Sequence, residues 1–151
     1  MLKSTPEEEP EAHKRGVALE REGKLEEALA AFSELGSGDD YSRLAGAQCR
    51  ARILWKLNRL EEACSAFSEA IEIKPDSKVA TLGLYHTLMD AGAFDEALKE
   101  GQRFFDGRWG AADPDPLIEK YRIDLLALMG MGEENLAKAR EQVVQRARER
   151  N

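Results

Sequence analysis

At 151 residues, with 34% charged side chains, 7% aromatic ones and a net charge of −7, the chain has the length of one domain with an extended core. Its acidic balance argues against a nucleic-acid partner, because neutralising phosphates takes a basic surface. No apolar run approaches the roughly 18 residues of a membrane-spanning helix, so no membrane association is expected.

The abundance of Ala, Leu, Glu, Arg and Lys favours helix. The opening MLKSTPEEEPEAHK is acidic and has no apolar stretch of the secretory kind, which sets a cytoplasmic location as the default expectation. Residues 1–8 read as a flexible acidic lead-in. The first helix is expected over Glu9–Arg21, with Ser4 or Thr5 as its cap and Pro10 tolerated in the first turn. A turn at Gly23 leads to a second helix over Leu25–Leu35, stopped by Gly36-Ser37-Gly38-Asp39-Asp40.

The second pair is expected over Tyr41–Leu57 and Leu60–Ile73, capped by Asp40 or Ser42 and closed by Pro75. A third follows over Ser77–Ala91 and Phe94–Phe105, with Asp76-Ser77 at its N-terminus and a turn at Gly92. The run Asp113-Pro114-Asp115-Pro116 reads as an extended connector, since proline disfavours helix at the residue before it. A last pair is expected over Pro116–Met129 and Glu133–Arg148, turning at Gly130-Met131-Gly132. Its final helix carries an apolar stripe of Leu136, Ala139, Val143, Val144 and Ala147.

Aligning the turns exposes an internal repeat. Glu26-Glu27-Ala28, Glu61-Glu62-Ala63 and Asp95-Glu96-Ala97 correspond, 35 and 34 residues apart, each preceded by Leu25, Leu60 or Phe94. Gly23, Asn58 and Gly92 occupy the turns, where positive φ suits Gly or Asn. Phe32, Phe67 and Gly101 fall at the next equivalent position, and Ala137 aligns with Ala28, Ala63 and Ala97. The stretch LAGAQCRARILWKLNRLEEACSAFSEAIEIKPDS, residues 44–77, resembles one tetratricopeptide repeat (TPR), a helix-turn-helix unit of about 34 residues. The resemblance implies an all-α, right-handed TPR-like solenoid of about eight antiparallel helices. Its repeats span about 9–42, 44–77 and 78–111, with a divergent capping pair at 116–149, in a single domain over 9–151. A cap needs a polar outer face because nothing stacks beyond it.

Catalytic constellations are scarce. His13 and His86 lie on different repeats, and no clustered His/Cys spacing suits zinc. No glycine-rich phosphate loop follows a strand, and the many carboxylates read as solvated helix faces. Cys49 and Cys64 form no C-x-x-C motif and read as reduced, packed thiols, a disulfide between facing helices being the alternative. The expectation is a non-catalytic protein without cofactor or metal.

The TPR resemblance implies instead a concave groove lined by the first helix of each pair. Projected onto this chain, the groove takes Val17, Glu20 and Arg21 from repeat one and Gln48, Arg52, Trp55 and Lys56 from repeat two. Repeat three adds Leu82, His86 and Met89, and the capping pair Arg122 and Leu126. Trp55 with Arg52 and Lys56 reads as an aromatic anchor flanked by cations, which would suit an acidic or carboxylate-bearing peptide. The plainer alternative is that Trp55 packs between repeats one and two. Relatives that bind chaperone C-termini use a clamp of Lys, Asn and Arg. The matching positions here hold His13, Val17, Cys49, Val79 and Gly83, so that ligand is not expected.

Phe104, Phe105 and Trp109 form a second aromatic group, expected to seal the third pair onto Tyr121, with an exposed anchor as the alternative. Lys138, Arg140, Arg146, Arg148 and Arg150 crowd the last helix and complement its dipole. The leading functional expectation is a scaffold binding a protein or peptide segment. The alternatives are self-association through the terminal helices, or a small bacterial chaperone or immunity-type partner of a basic client.

Overall fold

The computed structural model describes residues 9–106 and 112–130, with 141, 145, 148 and 149 of the final segment. Every regular element among the described residues is helical. These are α1 (Glu11–Arg21), α2 (Leu25–Ser33), α3 (Asp40–Lys56), α4 (Leu60–Ile73), α5 (Lys78–Asp90), α6 (Phe94–Phe104) and α7 (Pro116–Leu128), with a 3-10 turn at Glu34–Ser37. The described residues are all-α, with consecutive helices packed from α1 to α5 and α6 packed on α7, TPR-like within each unit. Its contacts group into two compact units, residues 1–93 and 94–151. The lead-in, Trp109, the apolar stripe with Ala137, and the basic residues of the last helix other than Arg148 lie outside the described residues.

In the first unit each helix packs on its predecessor from α1 to α5, and α3 also touches α1 and α5. Three turns share one hydrogen-bond pattern. Lys24, Arg59 and Ala93 each donate their backbone N–H to the carbonyl five residues back, on Leu19, Leu54 and Leu88. Gly23, Asn58 and Gly92 donate to the carbonyl three back. This is the Schellman ending, which needs a left-handed residue. Gly23 (φ 78°), Asn58 (φ 59°) and Gly92 (φ 75°) supply it. Gly130 has the same left-handed backbone (φ 75°) and three-back hydrogen bond after α7.

The repeated small residues do what their size allows. Ala28, Ala63 and Ala97 are all fully buried, one per second helix, where neighbouring backbones approach closely. Phe32 fills the space beside Gly16, and a Cβ built on Gly16 would overlap its ring. A cluster of Ala28, Phe32, Leu35, Cys49 and Ile53 forms the core around α2 and α3, with Leu19, Leu29 and Leu57 against it.

Where boundaries differ from expectation, they do so by one or two residues. Pro10 stands before α1 as its N-cap, outside the first turn, where its lack of an N–H costs nothing. The second helix gives way to the 3-10 turn after Ser33. The cap of α3 is Asp39, one residue earlier than expected, and its Oδ1 accepts from the Ser42 N–H at 2.8 Å. Ser77 caps α5, accepting from the Ala80 N–H at 3.2 Å.

In the second unit α6 packs on α7. Phe104 and Phe105 are buried against Tyr121, with ring centroids 6.4 and 5.2 Å apart. Asp115 caps α7 with Pro116 in its first turn, accepting from the Leu117 N–H at 3.0 Å.

Candidate functional site

A hollow of about 460 Å³ lies within the first unit between α3 and α5, with α4 behind it. From α3 come Gln48, Arg52 and Trp55; from α4, Phe67; from α5, Val79, Gly83, His86, Thr87 and Asp90. These positions follow from helix geometry. On α3 the three residues fall at i, i+4 and i+7, a single stripe. On α5 the spacing is i, i+4, i+7, i+8 and i+11, again one stripe, facing back toward α3.

Gly83 makes the hollow. A Cβ there would overlap the Phe67 ring, so α5 approaches α4 closely and the ring surface opens to the groove. Thr87 Oγ1 donates to the Gly83 carbonyl at 2.7 Å, which satisfies the hydroxyl within α5. Trp55, 44% exposed, and Val79, 61% exposed, are large apolar side chains left to solvent at this site. The indole is held in place by its own N–H, which donates to Asp90 Oδ2 at 2.7 Å. Across the groove Ser77 Oγ donates to Gln48 Oε1 at 2.7 Å, tying the start of α5 to the middle of α3.

Electrostatically, one residue governs the upper end. The Glu20 carboxylate accepts from Arg52 Nε at 3.0 Å, Arg52 Nη2 at 2.7 Å and Lys56 Nζ at 2.6 Å. Its side chain is only 12% exposed. The Arg52 hydrogen bonds, opposed by burial and aided by Lys56, pull its pKa from 4.5 to about 2. Burial pushes the Cys49 thiol up, so Cys49 is no thiolate nucleophile near neutral pH. Neither cysteine is in a disulfide; Cys49 is buried and Cys64 half-buried.

Four of the sequence-predicted groove residues therefore meet: Gln48, Arg52, Trp55 and His86. Glu20 and Lys56 join them through the ion network. Val17 instead packs against the core cluster, and Arg21 is exposed on α1. Leu82 and Met89 are half-buried on α5, off the stripe that lines the groove. Arg122 belongs to the second unit and is fully buried, its guanidinium paired with Glu119 at 2.6 Å; Leu126 is buried as well. Neither presents a surface to a ligand, because both lie in the packed face of α7.

Phe67, Thr87 and Asp90 are absent from the expected groove, and Val79 and Gly83 enter the expectation only as positions that lack the chaperone clamp's residues. Adjacent first helices face each other with different flanks, so one projected set of positions does not serve both walls. The stripe from Val79 through Gly83 to Thr87 and Asp90 was visible as a run at four, four and three residues. A smaller hollow of about 200 Å³ lies between α1 and α3, lined by Glu9, Pro10, His13, Leu35, Tyr41 and Ala45.

Among the described residues no group of three or more His, Cys, Asp or Glu is placed to hold a metal ion, and no helix is long and apolar enough to cross a membrane. A family model described as the tetratricopeptide repeat matches residues 50–77. The chain contains a tetratricopeptide repeat. The matched stretch runs from the second half of α3 through α4 to Ser77, so this repeat supplies Arg52, Trp55 and Phe67 to the groove. TPR units are protein–protein interaction modules in general. No curated protein matches the chain.

Proposed function

We propose that this TPR protein is a non-catalytic interaction module that takes a segment of a partner protein in the groove between α3 and α5, without metal or cofactor. The observation that carries the reading is the groove's surface: an apolar hollow of about 460 Å³ with a half-exposed, hydrogen-bonded Trp55 at its edge. A tryptophan held rigid before binding loses little entropy on contact, and buried aromatic anchors supply most of the affinity at protein interfaces. Gln48 and His86 add polar groups that could orient a backbone. Solvated helix faces need no such concavity.

The test is affinity capture with the full chain and with Trp55→Ala, followed by quantitation of every captured protein. Partners that use the groove are expected to fall by about tenfold or more with Trp55→Ala, the loss typical of a central aromatic anchor. Equal capture by both proteins would refute the groove assignment.

A further inference from the structure

The cations beside Trp55 invite an acidic ligand only while they are unpaired, and in the structure both are engaged. Arg52 spends two N–H groups on Glu20 and Lys56 its ammonium on the same carboxylate. An incoming peptide carboxylate would have to displace a bidentate partner that is already largely desolvated. The groove's remaining formal charge is Asp90, whose carboxylate faces the indole N–H. Arg52, Lys56, Glu20 and Asp90 sum to zero, and the surface between them is Trp55, Phe67 and Val79.

We propose that Glu20 is a specificity-determining residue: by engaging both Arg52 and Lys56 and offsetting one of their two charges, with Asp90 balancing the other, it tunes the groove for an uncharged partner segment carrying a bulky apolar side chain and against acidic ones. This rests on the groove being the binding site, as proposed above. Glu20 reaches the site from α1, one helical pair away from Trp55 in sequence, so repeat one sets the ligand class of a hollow built by its neighbours. Two changes remove one negative charge while retaining a hydrogen-bond acceptor for the same donors. They are Glu20→Gln, at the ion network, and Asp90→Asn, at an exposed position where the fold is not at stake.

The experiment selects phage-displayed random dodecapeptides on the immobilised full chain and measures the enriched peptides against the wild type, Trp55→Ala, Glu20→Gln and Asp90→Asn. Wild-type clones are expected to carry a bulky apolar residue and to be depleted in Asp and Glu, and to lose binding with Trp55→Ala. For the best clone remade with two flanking glutamates, Glu20→Gln and Asp90→Asn should each bind about fivefold tighter than the wild type, the effect of one unit charge at a partly solvated site.

Wild-type clones rich in Asp and Glu would overturn the proposal. So would glutamate-flanked peptides that bind Glu20→Gln no better than the wild type, whatever Asp90→Asn does. In either case binding that still depends on Trp55 leaves the groove itself standing. Clones indifferent to Trp55→Ala refute the groove, and this proposal with it. A full chain that sediments as a dimer and becomes monomeric with Trp55→Ala would make the occupant a second copy and overturn it equally.

Discussion

Glu20 shows how one side chain changes the meaning of its neighbours. In sequence it is one of 29 acidic residues; in the fold it joins α1 to α3 and pairs with two cations at once. Its folded pKa of about 2 lies below the ordinary 4.5, so its contribution to stability is fully present above pH 4.5. That contribution is lost as the pH falls through that range toward 2. Glu20→Gln should lower stability by about 1 kcal/mol at pH 7, the scale of a partly exposed charge-assisted network. The difference from the wild type should close between pH 4.5 and 2. Denaturant titrations at several pH values check this, and a gap that stays constant down to pH 2 would show that Glu20 is not the titrating group.

Gly83 is the other decisive residue. Gly83→Ala puts a methyl into the space of the Phe67 ring, and overpacking of this kind costs about 1–3 kcal/mol. The variant should melt at lower temperature and bind Trp55-dependent peptides less well, because the displaced ring fills the groove. Thermal unfolding and peptide titration read the two effects separately.

At the scale of elements, the recurring unit is a helix ended by a Schellman turn. Gly23 and Gly92 meet the left-handed requirement without strain, while Asn58 does so with a side chain. Asn58→Gly should therefore leave stability within about 0.5 kcal/mol, whereas Asn58→Val should cost about 1–2 kcal/mol, since a β-branched residue is strained at positive φ. Urea unfolding of the two variants tests this, and equal stabilities would mean that the turn relaxes out of the left-handed region. The helices α3 and α5 have buried positions around much of their circumference, as expected of inner helices flanked on two sides. Such helices lack a clean amphipathic stripe, which is why Leu82 and Met89 are expected in the groove where Gly83 and Asp90 line it beside His86.

For the whole molecule, stability should be uneven along the chain. In a repeat architecture each element rests mainly on its neighbours. Of the first unit's helices, α3 alone meets four others: α1, α2, α4 and α5. Amides of α3 and its partner α4 should therefore exchange slowest, and those of α1, at the end of the packed series, fastest among the first unit's helices. Native-state hydrogen exchange measures this order directly. Faster exchange in α3 than in α1 would mean that the long central helix is not the anchor of the unit.

The helical class, the turns and the buried small residues were legible in the sequence because they depend on local rules. A period of 34 or 35 residues, Gly or Asn at each turn and Ala at each close approach are chain-local signals, and Leu60–Ile73 was read to the residue. Trp55 stood out for a related reason: the repeat pattern did not require it. What the tertiary structure alone decided was pairing and orientation. That Arg52 and Lys56 share Glu20 depends on α1 and α3 lying side by side, with partners 32 and 36 residues apart. That Phe67 belongs to the groove depends on Gly83 letting its ring through. The burial of Arg122 depends on which side of α7 is packed. Sequence periodicity places a residue on a helix; the neighbouring helix then determines whether that residue meets solvent, an ion-pair partner or a ligand.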